Sequence, residues 1–255
     1  MRTILDFLVE LHEKELAYTT LNTARSGISA FTIPKNNLTI GSHPVVSRFM
    51  KGIYKSSPPT PRYKTTWDVQ QVLSYLSSIA PIVDLPLKLL TFKTMMLVAL
   101  VTAQRGQSLH MLDVGFMTEF ADGLEFVLPE HVKQSRPGYQ PPSIILKACP
   151  ADRRLCVFRH MKKYLKRTKP SRGSETRPFI SVVKPFKPVS RDTISRWIRL
   201  VMRDASVDIT IFKPRSTRAA ATSKAKAVSV PIDEILKTAG WSSSRSFDRY
   251  YDKPV

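Results

Sequence analysis

Apolar residues recur at helical spacing in the first fifty residues of the chain. The positions that follow this spacing are Ile4, Leu5, Leu8, Leu11, Leu21 and Ile28. They predict short amphipathic helices, because residues three or four apart lie on the same face of a helix. The pattern stops at residues 56–61, where three prolines remove backbone donors and fix the φ angle. We therefore predict a helical domain over residues 1–55 and a linker over residues 56–65.

Two helices and two strands are predicted in the middle of the chain. Residues 66–76 have apolar positions at helical spacing, and a longer, strongly apolar helix follows around residues 87–102. The segments 124–128 and 143–146 are short apolar runs, and the turn-rich Arg136-Pro137-Gly138 lies between them. This arrangement is typical of two antiparallel strands joined by a hairpin.

The pattern is helical again from Cys156 onward. The predicted helices cover residues 156–167, 191–205, 218–227, 232–238 and 244–251. The order of elements predicts a mainly α fold (α+β). It consists of a helical amino-terminal piece and a helical domain, residues 66–255, that contains a small antiparallel β-sheet.

The charge of the chain is strongly positive and unevenly placed. The 255 residues include 40 Lys and Arg against 20 Asp and Glu, a formal net charge of +20. Nineteen basic and four acidic residues lie between residues 159 and 226, so this segment carries +15, whereas residues 1–54 carry only +2. Such an excess of cations is typical of proteins that bind a polyanion, most often nucleic acid.

Several classes of protein and site are excluded by the sequence. Cys149 and Cys156 are the only cysteines, which is too few for a disulfide framework or a cysteine-based zinc site. The histidines are scattered and no glycine-rich phosphate loop is present. No run of about 18 apolar residues could cross a membrane, and Asp6 interrupts the segment that a signal peptide would keep apolar. We expect an intracellular protein without a cofactor, in which phosphate chemistry would depend on Arg, Lys and Tyr.

Two basic residues are candidates for binding a phosphate. Arg105 follows the most apolar helix, where a charge is costly to bury unless it meets an anion; an ion pair with Asp113 is the alternative. Lys133 lies at the tip of the predicted hairpin. A lysine there could reach a phosphate and act as a general acid, although solvated hairpin lysines are common.

The carboxy-terminal part of the chain adds an arginine pair and two aromatic positions. Arg215 and Arg218 are three residues apart at a predicted helix start, so both should project to one side, at a helix end that favours anions. Trp241 precedes a terminal helix that carries Tyr250 and Tyr251. These aromatic residues are candidates for the reaction itself, and the alternative is that they pack in the core or against a partner.

In this order, these residues resemble the tyrosine recombinase (phage-integrase-like) family over about residues 62–255. The motifs at 104–107, 216–223 and 251–254 are similar to its retroelement-encoded, DIRS-like branch. Residues 1–54 resemble the end of that branch's helical core-binding (SAM-like) DNA-binding domain, with its start missing. The positions that carry the resemblance are Arg105, Lys133, the Arg215-x-x-Arg218 box, Gly240-Trp241 and the terminal tyrosines.

The resemblance implies a site-specific recombinase or integrase that cleaves and rejoins double-stranded DNA without metal or ATP. Arg105 and Arg218 would hold the scissile phosphate, and Lys133 would protonate the leaving 5′ oxygen. Trp241 would take a position that is His or Trp in the family, and a tyrosine would form a 3′-phosphotyrosyl link. The implied assemblies are a homodimer on a paired site and a homotetramer in the synaptic complex, with the nucleus as the compartment.

Two departures from the family pattern leave alternatives open. Arg215 stands where the family usually has His, and a guanidinium cannot accept a proton from tyrosine because its pKa stays above about 12. The chain could therefore be a catalytically impaired DNA-binding remnant.

The identity of the nucleophile is the second open point. The usual interval of nine residues from Trp241 indicates Tyr250, whereas the pattern of the retroelement branch indicates Tyr251, which we favour slightly. Adjacent residues on a helix differ by about 100° in direction, so only one of the two tyrosines faces the phosphate. An RNA-binding helical protein would explain the charge but not the terminal tyrosines.

Overall fold

The chain divides into two units, Met1–Arg62 and Tyr63–Val255. A computed structural model describes residues 2–34, 38–60, 63–79, 81–129, 135, 142–241 and 243–255. Helices account for most of the regular structure in both units, and the second unit contains one small antiparallel sheet. The prediction of a mainly α fold is therefore confirmed, whereas the assignment of residues 1–55 to a core-binding domain and of residues 56–65 to a linker stays a prediction.

The first unit is built from three helices, α1 (Arg2–Glu13), α2 (Tyr18–Phe31) and α3 (Pro44–Ser56). The first two follow the predicted amphipathic pattern, but α3 was not predicted. It begins with Pro44, whose missing N–H would have no partner in the first helical turn, and the His43 side chain accepts a hydrogen bond from a backbone N–H there. Its apolar face completes the core of this unit, which consists of Leu8, Leu21, Val46, Met50 and Ile53.

Helices also frame the second unit. Their bounds are α4 (Val69–Ser78), α5 (Leu87–Thr102), α6 (Gly106–His110), α7 (Val157–Arg172), α8 (Arg191–Asp204), α9 (Thr217–Ala227), α10 (Ile232–Ala239) and α11 (Ser244–Tyr250). α5 has the bounds predicted for it, and α8 to α11 begin and end within one residue of prediction. The short α6 was not predicted, and α7 continues five residues past its predicted end at Arg167.

Three short antiparallel strands form the sheet in the order β1 (Met117–Phe120), β2 (Gly123–Phe126) and β3 (Ile144–Lys147). The predicted pair corresponds to β2 and β3, with Phe126 opposite Ile144. Alternate residues of β3 are buried, as expected of a strand with one face on the core. β1 was not predicted, because most of its residues are exposed and give no alternating pattern.

The core of the second unit is centred on α5. This helix is apolar almost all round, so it must be surrounded by other elements, and it packs against α7, α8, α9 and β3. Because α5 contacts α9, the last residues of α5 and the arginine that follows them lie close to that helix. None of the described helices is long and apolar enough to span a membrane.

His160 makes the stability of the second unit depend on pH. The ring is 1% exposed on α7, and its Nδ1 donates to the carbonyl oxygen of Cys156 at 2.9 Å. Burial lowers the pKa of His160 from 6.5 to about 4, so below pH 6.5 the unfolded chain binds a proton that the folded chain excludes. We expect the free energy of unfolding to fall by about 3 kcal/mol between pH 6.5 and pH 4 through this residue.

Urea unfolding of the wild type and of His160→Asn measures this contribution. The asparagine amide keeps a donor for the Cys156 carbonyl, and carboxylates titrate equally in both proteins. All three tryptophans lie after residue 62, so their fluorescence reports on the second unit. The stability difference between the two proteins should change by about 3 kcal/mol over the stated pH range, and parallel pH profiles would contradict the assignment.

Candidate active site

The main chain leaves α5 through a strained residue. Ala103 is buried and has a left-handed conformation, with φ 47°, which ends the helix. This conformation costs about 1–2 kcal/mol for a residue with a Cβ, and such strain concentrates at functional sites. The Gln104 side chain donates to the carbonyl oxygen of Thr238 at 2.8 Å, which ties this turn to α10. Arg105 follows and directly precedes the first residue of α6.

Arg105 has a buried guanidinium nitrogen without a partner. Its Nη1 is enclosed and makes no hydrogen bond among the described residues. The ion pair with Asp113 that we considered from the sequence is not formed in the described part of the chain. The Asp113 carboxylate instead accepts hydrogen bonds from the Gly115 N–H at 2.7 Å and the Thr176 hydroxyl at 2.8 Å. Arg105 therefore retains an unused donor at the end of the core helix.

Arg218 is the most deeply buried cation of the site. It lies in the first turn of α9, is 5% exposed, and its Nη2 donates to the carbonyl oxygen of Ala239 at 2.8 Å. Its Nε and Nη1 are buried without a partner among the described residues. Desolvation and the nearby positive charge of Arg105 lower the pKa of Arg218 to about 9. The electrostatic effect of Tyr251 acts in the opposite direction and raises this pKa. At neutral pH a buried and a half-buried cation thus lie close together, an arrangement that an anion would stabilise.

Two aromatic rings cover the Arg218 guanidinium. Its Cζ lies 4.2 Å from the ring centroid of Trp241 and 5.4 Å from that of Tyr251. The two ring centroids are themselves 4.6 Å apart. These contacts hold the guanidinium by cation–π attraction without using its N–H donors. The indole Nε1 of Trp241 is also buried without a partner among the described residues, so it adds another donor.

The two terminal tyrosines have different surroundings. Tyr251 follows the last residue of α11, is half-buried, and its ring contacts both Trp241 and Arg218. Tyr250 is 49% exposed, and its ring faces the Arg249 guanidinium at 5.2 Å. Both tyrosines were candidates from the sequence. Of these two tyrosines, Tyr251 is the one whose ring contacts the buried Arg218 guanidinium.

The segment after α11 is fixed to α9 by contacts that the sequence analysis did not anticipate. The Ser223 hydroxyl donates to the carbonyl oxygen of Tyr251 at 2.6 Å and accepts from the Lys253 N–H at 3.0 Å. Lys226 forms an ion pair with Asp252. Ser223 is 6% exposed in a helix of small residues, and nothing in its sequence context distinguishes it as a contact for the end of the chain. These bonds position the Tyr251 ring relative to Arg218.

Two predicted site residues are not brought into this cluster by the described structure. Arg215 lies in a 3₁₀ turn, Pro214–Ser216, before α9 and is exposed, whereas Arg218 is buried. The expectation that both arginines share one side of a helix therefore has to be corrected, because α9 begins only at Thr217 and the preceding turn has a different period. Lys133 lies outside the described residues, between β2 and β3.

Comparisons with known proteins give a match in structure but not in sequence. The sequence matches no family model, and no curated protein matches it. Its fold is that of site-specific recombinases and integrases. The XerH site-specific recombinase bound to palindromic difH substrate, in a post-cleavage complex, superposes with a TM-score of 0.63 at 11% identity, over 94% of this chain and 65% of XerH.

Two further solved structures show the same similarity. The Tn1549 transposon integrase in complex with transposon right end DNA has a TM-score of 0.59 at 12% identity, covering 97% of this chain and 79% of the integrase. The lambda integrase dimer bound to a COC′ core site has a TM-score of 0.56 at 15% identity, covering 98% and 64%. The chain thus spans about two thirds of the length of XerH and lambda integrase. At these identities the likeness establishes the fold.

Proposed function

We propose that this chain is the DNA-cleaving part of a tyrosine recombinase, which breaks and rejoins strands of double-stranded DNA. One observation carries the proposal. Arg218 is buried with two unused donors, lies close to Arg105, and is covered by the rings of Trp241 and Tyr251. A phosphodiester at this place would meet several N–H donors and a phenol together, which is what transesterification by tyrosine requires.

The proposed reaction uses these groups in one displacement. The Tyr251 phenol oxygen attacks the phosphorus, the bond from phosphorus to the 5′ oxygen breaks, and a 3′-phosphotyrosyl ester forms. The phenol loses its proton to solvent water, and the leaving 5′ oxygen gains one, which Lys133 would supply as general acid. Arg105 and Arg218 stabilise the charge that develops on the non-bridging oxygens. Rejoining is the reverse displacement, and no ATP is consumed because the new ester keeps the bond energy.

The proposed partner is double-stranded DNA. The excess of basic residues in 159–226 favours attraction to a phosphate backbone. Two solved structures of similar fold are a lambda integrase dimer bound to a core site and a lambda integrase tetramer bound to a Holliday junction. By analogy, we propose a homodimer on a paired site and a homotetramer in the synaptic complex. The retroelement-encoded branch and the nucleus stay predictions from the sequence.

A second candidate function is a DNA-binding remnant with impaired chemistry. It is favoured by Arg215, which occupies the position where the family usually has a histidine. A guanidinium donates hydrogen bonds but cannot take the phenol proton. DNA binding would survive this change, since it depends on the charged surface rather than on proton transfer.

A covalent trapping experiment tests both candidates. The protein is incubated with a pool of nicked suicide duplexes whose arms are randomised, and with the same pool made as RNA. We expect a DNA adduct that survives denaturation and disappears on protease treatment, because the nick lets the cleaved strand diffuse away. Salt-sensitive binding of the DNA duplex without an adduct would support the remnant. Preference for the RNA pool would contradict both candidates.

A further inference from the structure

A cationic cavity lies in the second unit, away from Arg105 and Arg218. It has a volume of about 330 Å³ and is lined by the end of α4, the middle of α5 and the start of α7. Five basic side chains line it: Lys93, Arg153, Arg154, Arg159 and His160. No carboxylate lines it among the residues that the structure describes. Cavities of this size hold small ligands, and the lining selects for an anion.

Lys93 is a buried cation that pairs directly with none of the described residues. It lies in the otherwise apolar α5, is 2% exposed, and makes no hydrogen bond or ion pair with the described residues. Burial lowers the pKa of Lys93 from its usual 10.5, against the opposing attraction of the Asp152 carboxylate. The nearby Asp152 carboxylate is occupied by Arg154, whose Nε and Nη2 donate to it at 3.1 and 2.9 Å. A buried ammonium in this situation is costly unless an anion meets it.

His160 also lines the cavity, and its ring has a second unpartnered group. A carbonyl oxygen only accepts, so the hydrogen bond to Cys156 requires the proton on Nδ1. In the neutral ring, Nε2 is therefore an acceptor, and it is buried without a partner among the described residues. A ligand of this cavity that reaches both side chains would need anionic oxygens for Lys93 and an O–H donor for His160.

We propose that this cavity binds a phosphate group that carries at least one proton. Such a group has both the anionic oxygens and the O–H that the two buried side chains require, whereas sulfate has no O–H. Arg153 and Arg159 at the exposed rim add charge-assisted hydrogen bonds. Lys93 precedes the last residue of α5 by nine positions, about 14 Å along the helix axis. The phosphate site is thus separate from the proposed strand-cleavage site.

Calorimetric titration of the full chain with inorganic phosphate, at pH 6.5 and constant ionic strength, tests the proposal. We expect binding to the wild type, at least tenfold weaker binding to Lys93→Met, and at least tenfold weaker binding of sulfate to the wild type. Lys166→Met is the matched control, because Lys166 is exposed on α7, the helix that carries Arg159 and His160, but does not line the cavity. This control should bind phosphate like the wild type.

Equal binding of phosphate and sulfate, or equal losses in Lys93→Met and Lys166→Met, would overturn the proposal in favour of general attraction to a basic surface. If Lys93→Met fails to fold, Arg153→Gln at the exposed rim serves the same purpose, with phosphate binding expected to weaken several-fold.

A competition experiment then identifies the source of the phosphate. Displacement by glycerol 3-phosphate indicates a free phosphorylated molecule, whereas displacement by a 5′-phosphorylated duplex, but not by its 5′-hydroxyl form, indicates a DNA end.

Discussion

Tyr251→Phe is expected to abolish the covalent DNA adduct, a loss of at least 10³-fold, while Tyr250→Phe keeps it. The reason is the position of each ring. The Tyr251 ring lies 5.4 Å from the Arg218 guanidinium carbon and 4.6 Å from Trp241, whereas Tyr250 is exposed beside Arg249. Removal of an attacking nucleophile leaves only binding and electrostatic effects, which cannot form the ester.

The two tyrosine variants are matched controls for each other, since each loses one phenol oxygen and keeps its ring. Phenylalanine at position 251 preserves the stacking on Trp241 and Arg218, so the site should stay folded. Adduct yield on the nicked duplex pool is measured together with duplex affinity, which should be unchanged in both variants. Full adduct yield from both variants would show that neither phenol is the nucleophile. Loss in Tyr250→Phe alone would transfer the role to Tyr250.

Arg215→His is expected to raise the rate of adduct formation by about 10²–10⁴-fold, the usual contribution of a general base, provided that DNA binding brings the exposed turn at residue 215 up to the Tyr251 phenol. Arg215 is exposed in the turn that precedes α9, so a smaller side chain should be tolerated there. An imidazole can accept the phenol proton near neutral pH, whereas a guanidinium cannot. The gain should therefore increase from pH 5.5 to pH 7.5, as the new imidazole loses its proton.

Arg215→Gln provides the control for Arg215→His, because it removes the guanidinium without supplying a base. It should leave the rate of adduct formation at or below that of the wild type. A comparable gain in both variants would mean that the positive charge, and not the missing base, limits the reaction. Both tyrosine variants are also made in the Arg215→His background, where the larger signal makes a loss of adduct easier to measure.

The strongest periodic segments were predictable because their signal is local. α5 is apolar along its whole length and has the predicted bounds, and β2 and β3 are the predicted strands. α3 and β1 were not predicted from sequence. β1 is mostly exposed and gives no clear alternating pattern, whereas α3 has an apolar face at helical spacing, with Val46, Met50 and Ile53 buried, that was overlooked.

The candidate site was predictable only as a set of residue types. An arginine after the apolar helix, an arginine in the α9 box and a carboxy-terminal Trp and Tyr pair were all visible in the sequence. The contacts that fix their geometry were not, because Ser223 and the Ala239 carbonyl have no chemical signature of their own. Lys93 was also overlooked, although a lysine within an apolar helix is a signal that can be found by inspection.

The sequence alone determined the helical character of this protein, its small sheet, its positive charge and the kinds of side chain available for phosphate chemistry. These properties follow from composition and from spacings within single elements. The tertiary structure decided that Arg218 is buried and Arg215 exposed, that Tyr251 rather than Tyr250 contacts Trp241, and that Lys93 faces a cavity. The physical reason is that burial and side-chain contact depend on packing between elements far apart in the chain, which periodicity within one element does not encode.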